Sequence, residues 1–302
     1  MCLIYTSIQK CSMKKFLLPL IFLGFAFQGF SQLLSWTPDF IQETSNPVVI
    51  TMDANYGNRG LLNYAPTSDV YVHIGVITNL STSSSDWRYV TSVWGTTNPL
   101  FQATSLGNNK WSFTISGGLR TYFGMTNPAE TIEKIAILFR SGNGNTAQRN
   151  ADASNMYIPV YDNGLYVRID NPFRQPLYTP IPEPITKNIG DNLPIVAKAN
   201  QAGSTIQVYF NGTLISTVTG TKDSTNASIS TPGTQTIIAK VTNGANTNSD
   251  TLSFYVASAN TVAPLPTGVT DGINYYPSTD SVTLVLYAPN KKQITVLGDF
   301  NN

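Results

Sequence analysis

Apolar side chains recur at every second position through most of this chain, in runs of five to nine residues separated by clusters of Asn, Gly, Ser and Asp. That period marks half-buried β-strands rather than helices. In the first half it predicts strands at 48–52, 70–77, 88–93, 110–115, 134–140 and 156–160, with turns at 55–60, 81–86, 107–109 and 142–145. Pro128 and the residues after it suggest one short helical turn. In the second half the same reading gives strands at 193–199, 205–210, 213–218, 227–230, 233–241 and 250–256. Asn211-Gly212 falls between two of these, and this dipeptide favours the two-residue hairpin turn with both residues at positive φ. Strands at 281–288 and 294–297 flank a Pro-Asn-Lys-Lys turn near the end. The pattern therefore predicts an all-β chain of tandem β-sandwiches.

Punctuation divides the chain into units. Residues 36–161 form the first sandwich. Residues 162–183 read as a linker, because Pro172, Pro176, Pro180 and Pro182 crowd its second half and proline removes ladder donors. Residues 184–257 form a second, immunoglobulin-like sandwich, expected to act as a spacer. A third unit begins at 265 and reads as truncated at 302. At the start, Met13-Lys14-Lys15, an apolar run over 16–27 and Gly29-Phe30-Ser31 have the three parts of a secretory signal peptide over 13–31. Residues 1–12 read as an extension from a misassigned start. The apolar run is too short to span a bilayer, so the mature chain is expected to be secreted or held at the cell surface or periplasm, without a membrane segment.

Composition narrows the chemistry. The chain holds 15 Tyr, 14 Phe and 4 Trp, and only 12% charged residues, as secreted all-β modules do. The net charge is +1, and three lysines lie in the first 31 residues with no acid, so the remainder has a slight acidic excess. With no basic cluster, a nucleic-acid partner is not expected. Both cysteines, Cys2 and Cys11, precede the signal segment, and the chain has a single histidine. Thiolate and multi-histidine metal sites are excluded on those counts. The Asp53–Asn58 stretch has calcium-loop residues but no closing glutamate, and reads as a plain turn. No phosphate loop, zinc-protease motif or nucleophile elbow occurs, and no pair of carboxylates stands out for glycoside hydrolysis. No cofactor and no catalytic residue are expected in this chain.

A sugar-binding site needs aromatic faces to stack on C–H faces, and fixed polar groups for the hydroxyls. Residues 69–94 supply both. Tyr71 and His73 share one face of a strand, Trp87 follows in a polar loop, and Trp94 comes seven residues later. Asn143, Asn145 and Arg149 offer a polar rim. Trp111 alternates with Phe113 and Ile115, a core stripe, and Trp36 reads as packing at a domain edge.

Two stretches carry a resemblance. Residues 58–90 and 132–161 resemble the N-terminal starch-binding-type domain of secreted Bacteroidetes amylases and, more distantly, carbohydrate-binding module families 25 and 26. The resemblance implies that His73 and Trp87 cradle an α-glucan polysaccharide, with Tyr71, Trp94, Asn145 and Arg149 around them. Ala153 and Asn155 depart from the Gly and Asp of that pattern, which argues against ligand or calcium binding by their loop. Val296-Leu297-Gly298-Asp299-Phe300-Asn301 resembles the strand-closing run of carbohydrate-binding module family 48, found in α-amylase-type enzymes of glycoside hydrolase family 13. This implies a catalytic domain C-terminal to this chain and a non-catalytic, glucan-holding role for the chain itself. In the third unit Tyr275, Tyr276 and Phe300 are expected in a sandwich core. The alternatives are the same region of a branching or debranching enzyme, or an adhesive protein built of immunoglobulin-like modules.

Overall fold

The computed structural model describes residues 32–172, 185–258, 264–265, 267–279 and 281–288. The expected signal segment at 13–31, the proline run after Pro172 and the run at 296–301 lie outside the described residues.

The first sandwich uses β1 (Leu34–Thr37), β2 (Val48–Asp53), β3 (Val70–Thr78), β4 (Thr104–Gly107), β5 (Lys110–Ile115), β6 (Ile132–Ser141), β7 (Ala147–Gln148) and β8 (Met156–Pro159). One sheet runs β1-β2-β5-β4, and the other pairs β3 with β6 along its length. Both β7 and β8 pair with β6, at Phe139–Arg140 and Lys134–Ile137 respectively. Val70, Val72, Ile74 and Val76 of β3 face Ile50, Met52, Trp111, Phe113 and Ile115 across the core. Trp111 is buried, as its stripe predicts. The Asp53–Asn58 stretch is a turn, closed by Asn55 on the Asp53 carboxylate and by Lys110.

Two local readings need correction. The 88–93 stretch is a loop whose backbone pairs with β3 at one bridge, Arg88 to Val76, because Tyr89 takes a positive φ of 51° and breaks the extended run. The short helix α1 is Leu119–Tyr122, not the stretch after Pro128.

The second sandwich has β9 (Val167–Asn171), β10 (Asn192–Ala199), β11 (Thr205–Phe210), β12 (Thr213–Thr219), β13 (Lys222–Ser228), β14 (Gly233–Asn243) and β15 (Asn246–Val256). Its sheets run β13-β10-β9 and β12-β11-β14-β15. Three strands facing four is an immunoglobulin-like sandwich. Asn211 and Gly212 turn β11 into β12 with φ of 49° and 80°, the hairpin geometry their sequence predicts. β9 corrects the linker reading of 162–183. Leu165, Val167 and Ile169 alternate into the second core, so that sandwich begins about twenty residues earlier than the proline density suggests.

The junction between the sandwiches is specific. Arg168 lies over the rings of Trp36 and Phe40, each centroid 5.2 Å from Cζ, and donates to the Asp39 carbonyl and to Asp170. Lys198 bridges Asp39 at 2.7 Å and Asp170 at 3.0 Å. Burial alone would raise the Asp170 carboxyl, but the two cations hold it below its usual value. Trp36 is thus an edge residue with a partner across the domain boundary. Arg168→Ala is expected to cost about 1–3 kcal/mol, read as a lower denaturation midpoint followed by Trp36 fluorescence. An unchanged midpoint would reduce this junction to a surface contact.

The third unit is seen as a hairpin, β16 (Gly272–Tyr276) with β17 (Ser281–Val285). Tyr275 is 69% exposed and Tyr276 36%, so neither is a core residue. Among the described residues no second layer covers this hairpin.

Candidate functional site

The outer face of the β3–β6 pair is where the sequence points. With Val70, Val72, Ile74 and Val76 turned inward, Tyr71, His73, Gly75 and Ile77 face out. That face does not meet bulk water, because residues 79–97 fold over it. Trp87 packs on Ile77, Ala136 and Tyr157. Gly75 is what lets the loop lie flat. A methyl there would come within 2.9 Å of the Arg88 carbonyl and of Val90 Cγ2. Hence β3 is buried on both faces for most of its length, although only one face touches the main core.

Where the loop does not close over the sheet it leaves an open cleft of about 340 Å³, lined by His73, Ser85, Trp87, Val90, Trp94, Leu138, Arg149 and Asn155. Four of the residues singled out by sequence, His73, Trp87, Trp94 and Arg149, therefore meet in one place. Two do not. Tyr71 is 8% exposed and sits beside the Arg140 guanidinium, away from the lining. Asn145 is exposed on the β6–β7 turn, its N–H bonded to Asn143, and does not line the cleft. Asn155 was discounted on its departure from the family pattern, yet it lines the cleft and accepts from Arg149 Nη1.

The rings are set at different angles. His73 stacks against Trp87 at 5.6 Å and 24°, while Trp94 stands edge-on to His73 at 5.2 Å and 83°. Trp87 is half-buried and its indole N–H donates to the Tyr157 hydroxyl at 3.2 Å. That hydroxyl also accepts from Asn155 and donates to the Ser84 carbonyl, so it ties the loop to β8. Trp94 is 41% exposed and backs onto the β6–β7 turn. A methyl on Gly144 would stand 2.5 Å from Trp94 Nε1, and Gly144 has φ of 74°. The turn needs glycine on both grounds.

His73 is a fixed and neutral group. The Ser92 hydroxyl accepts from the Ile74 N–H at 3.1 Å and meets His73 Nδ1 at 3.0 Å. With one proton and a second lone pair left, the hydroxyl serves Nδ1 as donor or acceptor according to the ring's tautomer, and in either case holds the imidazole in place. Burial lowers the imidazole below its ordinary value, and the charges of Arg140 and Arg149 lower it further. Chemically the cleft offers aromatic faces, a neutral imidazole, one guanidinium, one amide and a hydroxyl. It has no carboxylate lining and so no acid–base pair for hydrolysis. Among the described residues no group of three His, Cys, Asp or Glu is placed to hold a metal ion.

In class, then, the chain is a tandem β-sandwich protein whose second sandwich is immunoglobulin-like. No family model matches the chain, and no curated protein does. Solved structures match it weakly. The BSP domain of a biofilm associated protein is 11% identical with a TM-score of 0.29, over 76% of this chain and 30% of that one. The fibronectin(III)-like modules of Clostridium thermocellum CbhA are 10% identical with a TM-score of 0.23, over 74% and 93%. The titin A168169 structure is 8% identical with a TM-score of 0.22, over 75% and 100%. This chain thus spans about a third of the first of these.

Proposed function

We propose that the first sandwich is a non-catalytic carbohydrate-binding module that holds an α-glucan in the cleft over β3 and β6, and that the second sandwich is its spacer. The observation that carries the reading is the convergence of His73, Trp87, Trp94 and Arg149 on one open cleft with fixed polar neighbours. A pyranose presents an apolar face and an equatorial ring of hydroxyls. Trp94 offers an exposed ring for the first, and Arg149, Asn155 and His73 offer donors and acceptors for the second. The volume suits one or two sugar units rather than a long chain, and small clefts of this kind bind weakly. Affinity in the high-micromolar to millimolar range is expected, about −4 to −6 kcal/mol. Such sites act by tethering, which raises the local concentration of polymer at a linked catalytic domain. The resemblance of residues 296–301 to family 48 modules supports an α-amylase-type parent enzyme exported from the cell.

The test is native electrophoresis of residues 32–302 through gels containing soluble starch, with hydroxyethyl cellulose and plain gels alongside. Retardation by starch alone is the expected result. Equal mobility in all three gels would remove the glucan reading and leave the spacer or adhesive one. Retardation by cellulose alone would change the polymer.

A further inference from the structure

We propose that Arg140, which does not itself line the cleft, is the positioning residue of the platform: it locks Trp94 in place by holding the backbone on both sides of that ring. The proposal rests on the cleft being a ligand site, but its physical core concerns the unliganded protein.

Arg140 lies on β6, paired in register with Tyr71 of β3. It is only 1% exposed. Among the described residues no carboxylate forms an ion pair with it, which is unusual for a buried cation, since desolvation costs several kcal/mol per ion. Its compensation comes from carbonyls, rings and the nearby charge of Asp69, which itself accepts from the Gly142 N–H. Nη1 donates to the Ser141 and Gly142 carbonyls at 2.9 and 3.0 Å. Nη2 donates to the Val93 and Thr96 carbonyls at 3.1 and 2.8 Å. Its Cζ is 5.6 Å from the Trp94 ring centroid and 5.8 Å from that of Tyr71. Nε has no hydrogen-bond partner, so all four of the side chain's hydrogen bonds are made by the two terminal nitrogens.

The choice of carbonyls is the informative point. Val93 and Thr96 bracket Trp94 and Gly95, while Ser141 and Gly142 begin the turn whose Gly144 backs the Trp94 indole. One guanidinium therefore fixes the two segments between which Trp94 is held. A methionine of similar length would fill the space without joining them. A lysine would bring the charge as a point, without the planar fork that reaches four carbonyls.

The same charge acts on the imidazole. The charged groups that depress His73 are Arg140 from β6 and Arg149 from the stretch after β7, after burial itself. The covering loop presents Ser92, Trp87 and Trp94 to the ring, and β8 contributes Tyr157 behind Trp87. Removing Arg140 is therefore expected to raise the His73 midpoint toward 6.5, both by taking away a positive charge and by loosening the loop that buries the ring, and a lysine that keeps the charge separates the two.

The test compares Arg140→Met and Arg140→Lys with the wild type, without ligand, by two NMR signals. One is the indole N–H of Trp94, assigned by its loss in Trp94→Phe. The other is the pH titration of the imidazole, unambiguous because the chain has one histidine. Arg140→Met is expected to shift and broaden the Trp94 signal and to raise the His73 midpoint. Arg140→Lys is expected to displace Trp94 equally but, because it keeps a charge near the ring, to raise the midpoint less than Arg140→Met does. In starch gels both variants should lose at least tenfold in affinity. An unmoved Trp94 signal in folded Arg140→Lys would overturn the proposal, and so would an unmoved His73 midpoint in folded Arg140→Met. If the Met variant does not fold, the Lys variant decides alone. If the wild type does not bind starch, the two ligand-free signals still decide the role of Arg140, so the two failures are separable.

Discussion

Trp94→Ala is expected to abolish retention in a starch gel at a stability cost of no more than about 1 kcal/mol. The ring is 41% exposed and packs on neither main core. Its fixed contacts are the guanidinium beneath, the His73 edge and the Gly144 backbone. Truncation removes a stacking surface and little else. A central aromatic anchor is typically worth about 2 kcal/mol or more in binding, roughly thirtyfold, and a millimolar site does not survive that loss in a gel. Trp87→Ala makes the useful contrast. That ring packs on Ile77, Ala136 and Tyr157 and also against the main core, and its N–H is bonded. Its removal should lower both binding and stability, the latter by about 2–3 kcal/mol. Denaturant titration beside the gels separates the two. Wild-type retention in Trp94→Ala would eliminate this ring as the platform, and a large drop in its midpoint would place it in the core.

The cleft was partly legible because three of its aromatics fall within 22 residues of one strand and the loop after it. Strand periodicity put Tyr71 and His73 on the same outward face, and they are there. What periodicity does not carry is what lies across the strand. Tyr71 is opposite Arg140 in register, and the guanidinium closes over it, whereas His73 is opposite Leu138 and remains in the cleft. Asn155 was missed for a related reason. Its position depends on β7 and β8 sharing one edge of β6, a long-range pairing with no local sequence mark. In the second sandwich β10, β11, β12, β14 and β15 fall where alternation puts them, β13 starts five residues before its expected place, and Asn211-Gly212 fixed the β11–β12 hairpin. β9 was lost because prolines just after it outweighed three alternating apolar residues just before them. Punctuation marks the end of an element more reliably than its absence.

The loop that carries both tryptophans needs an anchor at its base, and Glu130 supplies it. This carboxylate is 1% exposed. It accepts from Thr78 Oγ1 at 2.7 Å, from Arg88 Nε, and from the Tyr89 hydroxyl at 2.6 Å. Arg88 and Tyr89 directly follow Trp87, so one buried acid ties the end of β3 to the segment that returns over it. Glu130→Ala would leave a guanidinium and two hydroxyls facing an empty site. A loss of about 1–3 kcal/mol is expected, the cost of leaving buried hydrogen-bonding groups unpaired, because the Arg88 side chain is a third exposed and regains water. Burial by itself would raise the Glu130 carboxyl, but the bonds from Tyr89, Thr78 and Arg88 outweigh it and hold the group at about 2. A depressed folded value stabilises the native state above the unfolded value of 4.5, and that contribution is lost as pH falls through the folded one. Stability should therefore fall between about pH 4.5 and 2, with a slope from this group no steeper than about 1.4 kcal/mol per pH unit. Glu130→Gln keeps the shape and removes the titration, so its acid limb should be shallower than that of the wild type. Superimposable acid limbs for the two proteins would show that another carboxylate governs acid unfolding and that the loop is held by packing alone.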